Sequence, residues 1–257
     1  VLPVNLRRRP SREDPFLLLL DFDGTIAPTV PDPRDATIEA STRTALHRLA
    51  DSDAVRVGIV SGRSLDDLRE RVAVPGFILV GSGGLEFEID GTCFVAIPAG
   101  GSREAFKSAR NEAGLGVAGL EGVRVEDKPH GFTIHHLAAA PGAVDAVKAL
   151  AETIRSRHPS VGVIIGALGV EFAHDAMHDK GTAVGEVVRR LGHSFRTVVF
   201  VGNDSNDAPA MRAAEKLGGL SVAIGNSAPA AMIRLKNIDG LTRFLEEVAD
   251  SLLSPAP

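Results

Sequence analysis

A doubly wound α/β core with a mainly parallel sheet, interrupted by a smaller inserted α+β domain, is the fold this sequence predicts. Three observations predict it. Short, almost wholly apolar runs recur in the first and last parts of the chain, amphipathic stretches with helical spacing lie among them, and the middle of the chain turns to a looser, charge-bearing alternation.

The apolar runs are "FLLLL" (16–20), "VRVGIV" (55–60), "FILVG" (77–81), "TVVFVG" (197–202) and "SVAIG" (221–225). Strands buried on both faces, as in parallel sheets, read this way. "ATIEASTRTALHRLAD" (36–51) and "GTAVGEVVRRLG" (181–192) place apolar residues three and four apart, the spacing of one helix face. Alternating strands and helices build a Rossmann-like layered core. In the middle, "VRVEDKPHGFTIHHLA" (123–138) alternates, "GAVDAVKALAETIRSRH" (142–158) is an amphipathic helix, and "VGVIIGALGVEFAH" (161–174) reads as two short strands meeting near Gly166–Ala167. The loop 97–104 is a plausible entry to this segment and 173–180 an exit. The expected division is therefore a core of 1–98 and 179–257 around an insert of 99–178.

Composition narrows the function classes. The formal net charge is −5, and the short basic run Arg7–Arg9 reads as a solvated tail, so nucleic acid is not an expected partner. No apolar run approaches the roughly 18 residues of a membrane span, and no signal-peptide pattern is seen at the start. The single cysteine, Cys93, permits no internal disulfide; a packed or surface thiol in a reducing, cytoplasmic setting is expected, in a monomer or weak homo-oligomer. Trp and Tyr are absent, so any sugar site works without those rings.

In open α/β sheets ligands bind beyond the carboxyl ends of the strands. Here those ends carry "DFDGT" (21–25), "SGR" (61–63) and "GNDSND" (202–207), and "DKG" (179–181) opens a helix before the fourth run. Asp21, at the end of a buried strand, is placed to attack phosphorus as a nucleophile. Asp23 lies on the same side if the chain stays extended, and suits a general acid/base. Gly24 and Thr25 suit a tight turn. Lys180 and the donors of Ser61 and Gly62 supply positive charge to phosphoryl oxygens. Crowded acids without a Cys/His set favour Mg²⁺ over zinc. Alone, each feature has a bland reading: Asp-x-Asp and Ser61 as helix caps, Lys180 as a surface lysine. The ordered combination is what is specific.

"DFDGT", "VSGR", "DKG" and "GNDSND" resemble the four signatures of the haloacid dehalogenase superfamily of phosphohydrolases. The resemblance implies Asp21 as nucleophile and Asp23 as acid/base, and phosphate binding by Gly24, Thr25, Ser61, Gly62, Arg63 and Lys180. It implies Mg²⁺ held by Asp21, the Asp23 carbonyl and the Asn203, Asp204 and Asp207 segment. The insert matches the larger cap type of that superfamily.

A narrower resemblance rests on "GSGGLEFEIDG" (81–91), "VEDKPHGFTIHH" (125–136) and "GVEFAHDAMHDKGTAV" (169–184), which are similar to trehalose-6-phosphate phosphatases. It implies substrate contacts at Glu86, Glu126, Lys128 and Glu171. Of the adjacent His135 and His136, which face opposite ways on a strand, His136 is placed with the substrate residues. His130, His174 and His178 are read as structural or exposed. The chain departs from the family pattern at Gly83 (usually His), Leu137 and Ala173 (usually Arg) and Asn203 (usually Asp). The expected activity is hydrolysis of trehalose 6-phosphate or a close relative. Another disaccharide or pseudo-disaccharide phosphate is an alternative substrate; a phosphomutase and a non-catalytic sugar-phosphate binder are alternatives of other classes.

Overall fold

The computed structural model describes residues 10–96, 103–128, 130–166, 168–173, 179–192, 195–226 and 229–253. The basic run 7–9, most of the expected entry loop, Ala167, His174 and His178 lie outside the described residues. Along the chain the elements are β1 (Phe16–Leu20), α1 (Ala40–Ala50), β2 (Val55–Val60), α2 (Leu65–Val72), β3 (Ile78–Gly81), β4 (Glu86–Ile89), β5 (Thr92–Val95), α3 (Arg103–Gly116), β6 (Arg124–Lys128), β7 (Gly131–His135), α4 (Pro141–Arg157), β8 (Gly162–Ile165), β9 (Gly169–Ala173), α5 (Lys180–Leu191), β10 (Thr197–Gly202), α6 (Ala208–Lys216), β11 (Leu220–Ile224), β12 (Ile233–Leu235) and α7 (Ile238–Leu253). They form two compact units, one of residues 1–94 with 180–257 and one of residues 95–179.

The first unit is built on an eight-stranded sheet in the order β12-β11-β10-β1-β2-β3-β4-β5. From β12 to β3 neighbouring strands are parallel. β1 is the central post: all five of its residues are buried, between β10 on one edge and β2 on the other. Each fully buried Leu contributes roughly 1.5–3 kcal/mol. Because the chain moves from β1 to β2 on one side while β10 continues to β11 on the other, strand order reverses between β1 and β10. The carboxyl ends of those two strands therefore flank a switch point, where doubly wound sheets bind ligands. Asp21 follows β1 directly, and Asn203 follows β10 directly.

The sheet also has an edge that the apolar runs did not announce. β4 pairs antiparallel with β3, and β5 lies beyond it. Asp90 and Gly91, both at positive φ, make the tight turn between them. β4 alternates half-buried and buried residues over only four positions, and β12 is three residues long, so neither leaves a long apolar run. The predicted helix over 36–51 is shorter at its start, because the backbone is extended at Ala36, after the 3-10 turn Pro33–Asp35, and at the N-cap Glu39.

The second unit is a four-stranded antiparallel sheet, β6-β7-β9-β8. Alternation gives it two different faces. Phe132, Ile134, Val170 and Phe172 join Ala109, Ala113, Val147, Ala151 and Ile154 from α3 and α4 in one core. Phe132 and Phe172 stack with centroids 4.3 Å apart. On the other parity stand Glu126, Thr133 and Glu171, directly opposite one another across β6, β7 and β9.

Candidate active site

The end of β1 carries Asp21 into an almost fully buried position at the switch point, with 5% exposure. Its backbone N–H donates to the Val201 carbonyl, which ties the turn to the end of β10. The next residues curl back: Gly24 N–H donates to Ala27 O at 2.7 Å, and the amides of Ile26 and Ala27 donate to Phe22 O. Gly24 has φ +80°, and a Cβ there would lie 2.2 Å from Asn203 Nδ2. Glycine is needed both for the backbone conformation and for the approach of Asn203.

Lys180, the first residue of α5, points its ammonium between two carboxylates. Nζ donates to Asp21 Oδ1 at 2.6 Å and to Asp207 Oδ1 at 2.7 Å, and all three side chains are buried. Burial alone would lower the Lys180 pKa, but the charges of Asp207 and Asp21 outweigh it and the net shift is upward. Asp21 moves up as well. Burial and then the Asp207 charge push its carboxyl up to about 8 against the opposing pull of Lys180. One ammonium does not neutralise two buried carboxylates, so this pocket lacks a positive charge.

The geometry beside Asp21 shows where a cation would fit. One terminal atom of the Asn203 amide lies 3.1 Å from Asp21 Oδ2, 2.9 Å from the Asp23 carbonyl oxygen and 3.0 Å from Thr25 Oγ1. Turned as NH₂, it has all three within reach of its two N–H donors. Turned as oxygen, it forms with Asp21 Oδ2 and Asp23 O a cluster of acceptors able to hold a cation, while Thr25 Oγ1 donates to it. These hard oxygen donors and the missing charge suit a small divalent ion.

The acids expected to share that role divide differently. Asp207 is fully buried; its Oδ2 accepts from the backbone N–H groups of Asn203 and Asp204, and its Oδ1 from Lys180. A Cβ on Gly202 would lie 2.5 Å from that carboxyl group. Asp207 thus shapes the loop after β10, with both oxygens engaged by those donors. Asp204 caps the short turn Ser205–Asp207, accepting from Ser205 N at 2.6 Å. Among the described residues no three His, Cys, Asp or Glu side chains converge as a metal cage. The candidate position rests on the mixed donors Asp21, Asp23 O and Asn203.

Ser61 and Gly62 end β2 beside this pocket. Ser61 is 1% exposed, its Oγ accepts from Arg63 N at 3.2 Å, and its carbonyl accepts from Gly83 N. Arg63, expected to bind phosphate, instead holds Asp23 through two hydrogen bonds of 2.8 and 2.6 Å. Glu86 braces the same loop: its Oε2 accepts from Ser82 Oγ at 2.5 Å and from Leu65 N at the start of α2. Ser82, Gly83 and Gly84 all have positive φ, an unusual run that sets this turn against the Ser61–Arg63 segment.

The trehalose-phosphatase family model matches residues 19–230. The chain belongs to the trehalose-phosphatase family. Its sequence is 32% identical over 246 residues to the trehalose-phosphate phosphatase of Mycobacterium avium strain 104, covering 91% of this chain and 62% of that protein. With the Mycobacterium tuberculosis H37Rv trehalose-phosphate phosphatase the identity is 30%, covering 91% and 61%. The chain thus spans about three-fifths of the length of these curated relatives. The fold is shared with the C-terminal domain of C. albicans trehalose-6-phosphate phosphatase (TM-score 0.85, 17% identity, 97% of this chain and 95% of that one). It is shared too with Aspergillus fumigatus trehalose-6-phosphate phosphatase (TM-score 0.62, 23% identity, 92% and 93%). The expected α/β core with a mainly parallel sheet and an inserted α+β unit is therefore the fold shared with these proteins.

In this trehalose-phosphatase-family chain the second unit gathers most of the remaining sequence candidates. Glu126 and Glu171 share the polar face, and Lys128, two residues from Glu126, has the same parity. His135 Nε2 lies 2.5 Å from Glu126 Oε2, and this hydrogen bond, with lesser help from the Lys128 charge, brings the Glu126 carboxyl down to about 2. His136 is the correction. It has the opposite parity, is 3% exposed, and its pKa is lowered by burial and further by Lys148 of α4. The alternation of "FTIHH" turns His136 to the helix-covered side with Phe132 and Ile134, and His135 to the polar side. That parity was readable in the sequence. Thr133, in the middle of the row with its Oγ1 unpartnered in the described structure, was missed because a lone strand threonine carries no motif.

Among the described residues no helix is long and apolar enough to cross a membrane.

Proposed function

We propose that this chain is a Mg²⁺-dependent phosphomonoester hydrolase that acts on trehalose 6-phosphate through an aspartyl-phosphate on Asp21. The observation that carries the reading is Asp21 itself: a carboxylate fixed at the switch point of a family member's sheet, with Lys180 on one oxygen and the Asn203 amide beside the other. In the first half-reaction a carboxylate oxygen of Asp21 attacks phosphorus and the sugar oxygen leaves. Asp23 gives that oxygen its proton, so the sugar departs as an alcohol. In the second half, Asp23 takes a proton from water as the water attacks the acyl phosphate, and Asp21 is regenerated with release of phosphate. Lys180 keeps Asp21 in place and faces the developing charge with its ammonium, while the Ser61 hydroxyl and Gly62 supply neutral donors.

Asp21, the Asp23 carbonyl and Asn203 would hold the Mg²⁺, which when bound supplies the positive charge the pocket lacks and favours ionised Asp21. The polar face of the second unit, with Glu126, Lys128 and Glu171, offers acceptors and a donor for sugar hydroxyls. Such a surface rejects ligands without those groups.

The test is phosphate release with Mg²⁺ across a panel of mono- and disaccharide phosphates, for the wild type and Asp21→Asn. Trehalose 6-phosphate is expected to lead the panel. Loss of the nucleophile is expected to lower turnover by about 10⁴-fold or more, the scale seen when covalent nucleophiles are removed. Full activity in the variant would rule out attack by Asp21, and preference for another disaccharide phosphate would move the substrate assignment alone.

A further inference from the structure

Arg63 sits in the "SGR" segment, where position suggested a phosphate ligand, but its guanidinium is occupied elsewhere. Nε donates to Asp23 Oδ2 at 2.8 Å and Nη2 to Asp23 Oδ1 at 2.6 Å. Nη2 also donates to the Pro33 carbonyl at 2.8 Å, and Nη1 to Asp67 Oδ2 at 2.6 Å. Arginine has five N–H donors, and these bonds occupy four of them. The guanidinium carbon lies 4.9 Å from the centroid of the Phe22 ring, and the side chain is 9% exposed. A planar fork so engaged has no paired donors left for a phosphate.

The contact continues outward. Asp67 Oδ1 accepts from Arg71 Nε at 2.8 Å, and Arg71 Nη1 donates to the carbonyls of Arg34 at 3.0 Å and Ala36 at 2.8 Å. Asp67 and Arg71 stand four residues apart on one side of α2, and Arg63 lies just before its N-cap Ser64, within reach of Asp67. The line Asp23–Arg63–Asp67–Arg71 alternates in charge. It is tied at Pro33 from Arg63, and at Arg34 and Ala36 from Arg71.

We propose that Arg63 is a positioning residue that fixes the plane and direction of the Asp23 carboxylate for proton transfer, and that Asp67 and Arg71 hold Arg63 in that pose. A bidentate fork sets both carboxylate oxygens at once. Each oxygen keeps a second lone-pair site, so Asp23 can carry or accept a proton while held. This inference rests on the phosphatase reading above. It adds a division of labour: the "SGR" serine and glycine face phosphate, and the arginine faces the acid/base.

The experiment uses leaving-group dependence with the Mg²⁺-loaded full chain. An alkyl phosphate such as the sugar substrate needs a proton on its leaving oxygen, whereas p-nitrophenyl phosphate leaves as a stable phenolate. Rapid-mixing measurements give the rate of Asp21 phosphorylation from each, and inorganic phosphate gives an inhibition constant. Arg63→Lys, which keeps the charge and loses the fork, is expected to slow phosphorylation from the sugar phosphate by about 10²-fold, within the range of general acid catalysis. The p-nitrophenyl phosphate step should fall by less than about 3-fold and phosphate inhibition should stay unchanged, since neither needs the proton on a leaving oxygen. Asp67→Asn and Arg71→Gln should show the same pattern more weakly, which keeps the test open if Arg63→Lys does not fold. Parallel loss on both substrates with weaker phosphate inhibition would overturn the proposal in favour of a phosphate ligand, and unchanged rates on both would overturn it outright. A wild type that hydrolyses neither ester would remove the phosphatase reading, and the inference with it.

Discussion

The first unit's site and the second unit's polar face are built on opposite terms. At the end of β1, Asp21, Lys180 and Asp207 are almost entirely out of solvent and each is held by partners from distant parts of the chain. On the second unit's sheet, the Glu126 side chain is 39% exposed, and its His135 partner comes from the neighbouring strand. A buried constellation fixes geometry and makes every member depend on the others. Partly exposed side chains tolerate exchange, so they suit recognition better than bond-making. Of the four departures from the family pattern, two (Leu137 and Ala173) lie in the second unit; Gly83 is in a turn and Asn203 keeps an oxygen donor.

The sharpest way to break this contrast is Lys180→Ala. It would strand two carboxylates in a dry pocket, and loss of one partner from a buried ion pair costs about 3–5 kcal/mol. Urea unfolding of the metal-free chain should show a drop of that size; a change under about 1 kcal/mol, the scale of an exposed pair, would mean the pocket is wetter than its burial indicates.

pH probes the same pocket without mutation. The folded-state pKa of Asp21 is raised from 3.8 to about 8, so folding favours its protonated form. That contribution is fully present below about pH 4 and is lost as pH rises through about 8. The metal-free chain should therefore lose thermal stability across this window, and Mg²⁺ should restore most of it at the alkaline end. Asp21→Asn should flatten the slope. Calorimetry from pH 4 to 9, with and without Mg²⁺, reads all three outcomes.

Gly24→Ala is a smaller change at the rim. Its Cβ would meet the Asn203 amide at 2.2 Å, at a φ of +80°. A cost of about 1–3 kcal/mol is expected for such backbone strain, with weaker Mg²⁺ affinity by titration because Asn203 must move away. On the other region, Glu126→Gln should change stability least, by under about 1 kcal/mol, since its contact with His135 is partly open to solvent. Its effect should be on recognition: a raised KM for trehalose 6-phosphate, with p-nitrophenyl phosphate hydrolysis unchanged.

The parts of this molecule that the sequence makes legible are those where one property dominates a run of residues. Five consecutive buried positions at β1 read as a strand, and acids just beyond apolar runs read as ligands at a sheet edge. What stayed hidden was how donors are shared once side chains meet. Asp207 has the look of a metal ligand, yet its oxygens are taken by two backbone amides and Lys180. Arg63 resembles a phosphate ligand until the Asp23 carboxylate is seen in its fork. These outcomes depend on distances between segments, which no local pattern encodes. The histidine pair differs: Phe132 and Ile134 already declare which side of β7 is the core, and parity then assigns His135 and His136.

The pairing of β1 with β10 also bears on how the chain is assembled. Phe16 lies beside Thr197, and the whole second unit is synthesised between them. As the chain leaves the ribosome, β2 can cover one edge of β1 early, but the other edge must wait until β10 emerges, with its backbone groups open to mispairing. The inserted unit draws all its strands from one continuous segment and can close first. Contacts this far apart in sequence also slow folding. Lys180, arriving just ahead of β10, joins its two carboxylates only at the end of that wait, so Asp21 gains its counter-charge in the same late step that closes the sheet.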